Sequence, residues 1–105
     1  MRVLVAGHAP IRHDHRSAVI EAASHMRRLT IEERGCISYR FSFALDDPDE
    51  LILIEEWSDV EALSRHLSSP HFETFSNLLR PMLNGPPRFT RYDIANASPL
   101  LRRRD

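Results

Sequence analysis

A single cysteine, Cys36, stands among the 105 residues. No disulfide can close within the chain, and no cysteine-rich metal centre can be assembled. A reducing, cytoplasmic setting is the expectation. Net charge is also scarce: 14 Lys and Arg side chains face 15 Asp and Glu, a formal charge of −1. No global field therefore draws the chain to nucleic acid or to an anionic membrane, and neither is expected as a partner. The one basic cluster, Arg102 to Arg104, falls in the last four residues and reads as a solvated tail. Long apolar runs are missing too. Val3 to Ala6 is too short for a signal-peptide core, and nothing approaches the roughly 20 apolar residues that span a bilayer. Neither an internal repeat nor a linker divides the sequence.

What is present suits one small globular domain, with 42% hydrophobic and 28% charged residues. A 12.2 kDa chain removes roughly two-thirds of its unfolded surface from water, enough for one modest core. A deep pocket in such a core calls for a second subunit to help wall it.

Residues 2–9 are aliphatic and β-branched and lead into Pro10, which predicts a first strand. From Asp14 to Arg34 the period changes: Val19, Ala22, Ala23, Met26 and Leu29 recur at steps of three and four, marking one apolar helix face. Asp14 is placed to cap that helix and Gly35 to stop it. Residues 36–45 alternate strictly, with Ile37, Tyr39, Phe41, Phe43 and Leu45 on one side. DDPDE at 46–50 reads as a polar hairpin loop, returning into a strand from Leu51 that sets Tyr39 roughly opposite Trp57. A slip of one residue would move Trp57 to the other face, and the pattern leaves both registers open.

Ser58 and Glu61 form a capping-box pattern ahead of a short helix with Val60, Leu63 and Leu67 inward. Ser69 and Pro70 suit the cap and first turn of a further helix with Phe72, Phe75, Leu79 and Met82 as its stripe; Pro81 leaves its end open. Residues 88–95 read as a last strand, and 96–105, outside the domain of residues 1–95, as a loose tail or an arm laid on a partner.

The order β, α, β, β, α, α, β predicts an α+β, ferredoxin-like antiparallel sheet with helices on one face. Leu51, Ile52, Leu53 and Ile54 are apolar toward both faces of the sheet. Helices can cover only one face in so short a chain, so a homodimer packed sheet to sheet is expected.

Three runs, RGCISYRF, DDPDELILIEEW and EALSRHLSSPHFETF, together resemble the pattern of the antibiotic biosynthesis monooxygenase domain, whose members include quinol monooxygenases. The resemblance extends over about residues 2–95. It implies a dimeric α+β barrel that oxygenates small electron-rich aromatic substrates with molecular oxygen and without metal or flavin. The chemistry is intelligible without a cofactor, because a deprotonated hydroquinone can itself supply an electron to oxygen. The protein must hold the substrate, take its proton and exclude water. The alternative is a non-catalytic dimeric module of the same fold that binds a small ligand or acts as a scaffold.

His66 matches the family's histidine and is the expected catalytic base, placed on the flank of the Leu63 and Leu67 stripe; its other reading is a structural histidine that caps the helix. His71 also matches the pattern, as a substrate contact or as part of the helix turn. Trp57 offers an aromatic wall with an indole donor, or plain core. Glu55 shares the strand parity of Trp57 and either orients His66 or pairs with Arg40, the pair being favoured. Tyr39 and Phe75 belong to the core with a share in the cavity. The first strand offers only His8 as a polar group where several oxygenases of the family carry asparagine. Ser76 stands where the haem-degrading branch has its axial histidine, so haem is not expected. His8, His13 and His15 lack a carboxylate or cysteine at a recognised ligand spacing, and no metal is expected.

Overall fold

The alternating run after Gly35 folds as strand β2 (Cys36–Ala44), which turns through Leu45 and Asp46 into β3 (Asp47–Trp57). In the computed structural model, which describes residues 1–101, these strands join β1 (Val3–Pro10) and β4 (Arg88–Asp93) in one antiparallel sheet of order β2-β3-β1-β4. Helices α1 (Arg16–Thr30), α2 (Val60–Leu67) and α3 (Pro70–Leu79) pack on one face. The α+β ferredoxin-like class and the order of elements are those expected. The basic cluster Arg102 to Arg104 lies outside the described residues. Among those described, no helix is long and apolar enough to cross a membrane.

The core forms where the inward parity of the sheet meets the helical stripes. Val3, Ala9, Tyr39, Leu51, Leu53 and Trp57 from the strands meet Val19, Ala23 and Met26 of α1, Ala62 and Leu63 of α2, and Phe75 and Leu79 of α3. Removing these side chains from water is the main driving force available to the chain.

Several boundaries differ from the sequence reading, each for a local reason. Asp14 lies inside a 3-10 turn, His13–His15, and caps nothing; α1 ends at Thr30, well before Arg34, where the Thr30 hydroxyl donates to the Met26 carbonyl. The β2–β3 connection is tighter than the predicted five-residue loop, and Leu45 sits fully exposed at its tip. Irregularities in pairing at Cys36/Ser38 and Phe43/Ala44 shift the register, so Tyr39 pairs with Glu55 and Trp57 with Cys36. Ile37, skipped by the first, points outward and is 49% exposed. With that extra residue absorbed, Tyr39 and Trp57 share the helix-covered face.

Ser58 does not cap α2. Its N–H still bonds the Gly35 carbonyl at 2.8 Å, carrying extended structure one residue further, and Asp59 accepts from the Ala62 N–H instead. The inward face of α2 is Ala62, Leu63 and His66, while Val60 and Leu67 are exposed. Ser69 does cap α3, accepting from the Phe72 N–H with Pro70 at the first position. Pro81 falls in a 3-10 turn, Arg80–Met82, and β4 stops at Asp93, short of Ala95. On the uncovered face of the sheet Ile54 is 48% and Tyr92 53% exposed, beside the partly buried Leu4, Ala6 and Ile52.

Gly35 holds a φ of +89°, and a Cβ there would meet the Ala62 Cβ at 2.5 Å and the Ser58 Oγ at 2.7 Å. The turn that leads α1 into β2 therefore needs glycine on two counts. Gly35→Ala is expected to lower stability by at least about 1 kcal/mol, read from urea unfolding followed by Trp57 fluorescence.

Candidate active site

Between the inward face of the sheet and helices α2 and α3 lies a cavity of about 570 Å³. Tyr39, Phe41, Phe72, Phe75 and Phe89 supply aromatic walls, Leu53, Leu63 and Leu79 the aliphatic ones, and the exposed Arg80 and Arg91 stand at its rim. A volume of this size lined mainly by apolar groups suits a small organic molecule.

One buried carboxylate enters that cavity. Glu55 lies on β3 with the inward parity of Leu51, Leu53 and Trp57, and is only 4% exposed. The Trp57 Nε1–H donates to Glu55 Oε1 at 2.7 Å. Burial pushes the carboxyl up to about 7; the indole hydrogen bond opposes this, and the charge of Glu33 adds to it. The favoured pairing with Arg40 does not occur, because Arg40 stands on the opposite face of the sheet, across from Ile54. The Tyr39 hydroxyl is also driven upward, first by burial and then by the charge of Glu55, so it remains a neutral donor at physiological pH.

A second polar cluster sits behind the aromatic layer. Glu33, on the turn after α1, presents Oε2 to His66 Nδ1 at 2.6 Å and to His71 Nε2 at 2.9 Å. His66 is fully buried near the end of α2, and His71 follows Pro70 at the start of α3. Ring centroids of Trp57, Phe72 and Tyr39 lie 4.9, 5.2 and 5.3 Å from that of His66. Burial lowers the His66 pKa against the opposing hydrogen bond to Glu33, and its Nε2 has no hydrogen-bond partner.

The six residues singled out in the sequence thus divide. Tyr39, Glu55 and Phe75 line the cavity. Trp57 stands behind Glu55, and His66 lies in the buried stripe of α2 behind Tyr39 and Phe72, not on its flank. His71 faces a separate groove of about 810 Å³ between α1 and α3, which Phe75 also borders. Glu33 escaped the sequence reading, since nothing in the polar run EERG separates it from Glu32. His8 pairs with Glu50 at 2.8 Å and His13 with Asp49 at 2.9 Å, in two separate surface pairs; His8 has the outward parity of β1 and does not face the cavity.

The domain is thus of the α+β ferredoxin-like class, with an aromatic cavity on the helix-covered face of its sheet and the buried carboxylate of Glu55 in the wall of that cavity. The chain belongs to the antibiotic biosynthesis monooxygenase family, whose sequence model matches residues 2–78. The Escherichia coli K12 protein named "Probable quinol monooxygenase YgiN" is 28% identical over 74 residues, spanning 63% of this chain and 71% of that protein. The structure of Rv0793 from Mycobacterium tuberculosis superposes with a TM-score of 0.87 at 28% identity, covering 94% of this chain and all of that one. A conserved protein from Methanosarcina mazei superposes at 0.85 with 25% identity over 88% of this chain and 91% of its own.

Keeping Glu55 dry has a thermodynamic consequence. At low pH the folded and unfolded chains both hold this proton. As pH rises through the ordinary carboxylate range the unfolded chain ionises first, so the contribution of Glu55 to stability falls until pH passes about 7. Glu55→Gln retains an acceptor for Trp57 and is expected to raise stability above pH 8, by on the order of 3 kcal/mol, and to be near neutral at pH 4. Thermal unfolding of both proteins across that range checks the crossing.

Proposed function

We propose that this chain is a cofactor-independent monooxygenase that oxidises a quinol or polycyclic phenol with molecular oxygen. The observation that carries the proposal is Glu55, a buried carboxyl poised near neutrality on the wall of an aromatic cavity. A base whose pKa lies near the working pH is suited to taking a phenolic proton. The flat walls supplied by Tyr39, Phe72 and Phe75 favour a planar ring held in their company. The membership of the family and the name given to the E. coli relative support the same reading.

For a simple hydroquinone the steps balance as follows. Glu55 takes one phenolic proton, and the electron-rich anion passes one electron to oxygen, giving a semiquinone and superoxide. The two radicals join at a ring carbon, and return of the proton gives a hydroperoxide. Cleavage of the O–O bond with loss of water leaves a hydroxyquinone. One oxygen atom enters the ring and the other leaves in water. The Tyr39 hydroxyl, held neutral, is a donor for the developing oxyanion. Trp57 fixes the Glu55 carboxylate, and His66, expected from the sequence to be the base, takes the part of a positioning residue behind Tyr39.

Oxygen uptake with a panel of benzo- and naphthohydroquinones tests the assignment. Glu55→Gln is expected to lower kcat by about 10²–10⁴-fold and to remove a limb near pH 7 from the kcat/KM profile. Saturable binding of these compounds without oxygen uptake would instead identify a ligand-binding module.

The working unit we infer is a homodimer joined through the uncovered face of the sheet. Ile54 and Tyr92 lie exposed there, an apolar patch that a second copy would remove from water. Sedimentation is expected to give twice the chain mass, and Ile54→Arg, which sets a second cation beside Arg40, is expected to give monomer.

A further inference from the structure

We propose that Glu33, His66 and His71 form a binding site for a divalent transition-metal ion of the zinc class, held through Glu33 Oε2, His66 Nδ1 and His71 Nε2. The site is separate from the cavity assigned to oxidation, since neither histidine lines it, and the proposal stands whether or not that assignment does. The histidines considered from the sequence, His8, His13 and His15, take no part in it.

The three donors already converge. One ligand atom from each residue lies within 4.8 Å of the others. Two imidazole nitrogens and one carboxylate oxygen are a donor set that suits zinc and leaves a position for water.

The buried ring of His66 supplies the second argument. Its Nε2 has neither a hydrogen-bond partner nor contact with water. If Nδ1 carries the proton and donates to Glu33, Nε2 is a bare lone pair enclosed by aromatic rings, with its hydration lost and nothing in return. If Nε2 carries the proton, the N–H can rest against a π face, and both Tyr39 and Phe72 meet the ring edge to face. That tautomer leaves Nδ1 as a lone pair 2.6 Å from a carboxylate oxygen. Two acceptors in such contact need a cation between them, a proton or a metal ion, and of the two only a metal ion satisfies Nδ1, Glu33 and His71 together.

Adjustment on binding is small and falls on the residues able to make it. Metal–ligand distances of about 2.0–2.2 Å put tetrahedral donors roughly 3.3–3.5 Å apart. The present separations of 2.6 and 2.9 Å must open by less than about 1 Å, and the two nitrogens, within 4.8 Å of each other, must draw together by at most about 1.5 Å. Glu33 has a flexible stem on a turn, and His71 is partly open to solvent; His66 stays fixed among its rings. The 17–18% exposure of the His71 and Glu33 side chains also gives an ion its path in, and His71 borders the groove between α1 and α3. The ion would clamp the α1–β2 turn to the end of α2 and the start of α3.

The test uses the full chain after chelator treatment and dialysis, titrated with Zn²⁺ by calorimetry and with Co²⁺ as a visible-absorption probe. One equivalent per chain is expected, at micromolar or tighter affinity, with d–d bands of a nitrogen- and oxygen-ligated low-coordinate site and a rise of several degrees in Tm. His71→Ala, at a partly exposed position, and Glu33→Gln are each expected to weaken binding by at least about 10-fold. The double substitution His8→Ala and His13→Ala is expected to leave stoichiometry and affinity unchanged. Absence of saturable binding overturns the proposal. Binding that survives His71→Ala, or that the surface double substitution abolishes, overturns it as well.

Discussion

One oxygen atom, Glu33 Oε2, receives two imidazoles from two different helices, and the layout of the helical layer depends on it. α2 and α3 are separated only by Ser68 and Ser69, a break short enough to allow many angles between them. Fixing His66 at the end of one helix and His71 at the start of the next to a common carboxylate selects among those angles. Apolar packing would tolerate a range of them, whereas a buried imidazole and a carboxylate are costly in any arrangement that leaves either unpaired. The contact also reaches back to the α1–β2 turn, where Gly35 closes against Ala62 and Ser58. The end of α1, the start of β2 and the α2–α3 corner therefore close as one unit.

The same chain carries a second carboxylate inward and treats it differently. Glu33 meets two imidazoles and keeps some contact with water, while Glu55 meets a single indole N–H and an otherwise apolar cavity. Environment gives two chemically identical groups different roles, Glu33 an anchor for two imidazoles and Glu55 a carboxyl raised by burial. The aromatic layer of Tyr39, Trp57, His66 and Phe72 lies between them. It keeps the two carboxylates from sharing solvent, while their charges still act on one another through the low-dielectric interior.

Most of the architecture was legible because it is encoded locally. The two-residue period after Gly35, the helical stripe of Val19, Ala23 and Met26, and the Ser69-Pro70 cap each act over a few neighbours, and each appears in the fold. What escaped depends on choices between near-equal options. Ser58 and Asp59 are both competent caps, and the outcome turned on the Ser58 N–H finding the Gly35 carbonyl, a contact remote in sequence. The irregularity at Ile37 turned that side chain outward and set Cys36 opposite Trp57, and nothing in an alternating run announces it. Glu55 and Trp57 share a strand face two residues apart, so their hydrogen bond was within reach of sequence reasoning; the competing Arg40 drew attention because ion pairing is the commoner fate of such a residue. Glu33 was out of reach, since its partners are 33 and 38 residues away.

A cavity of this size bears on the whole of so small a protein. Side chains that border a cavity make fewer dispersion contacts with one another than those of a close-packed core. The described residues form one core cluster, which must supply the compensation. Strand β3 carries a source of compensation in its own alternation. Leu51 and Leu53 point inward, and Ile52 and Ile54 point to the uncovered side. Polar residues at the outward positions would have made a soluble monomer with less reason to hold a hollow interior. Isoleucines there, with Leu4 and Tyr92 beside them, store apolar area that contributes only when another surface covers it. The proposed dimer and the proposed cavity chemistry would in this sense support one another: association on the outer face would stabilise a sheet whose inner face borders the cavity.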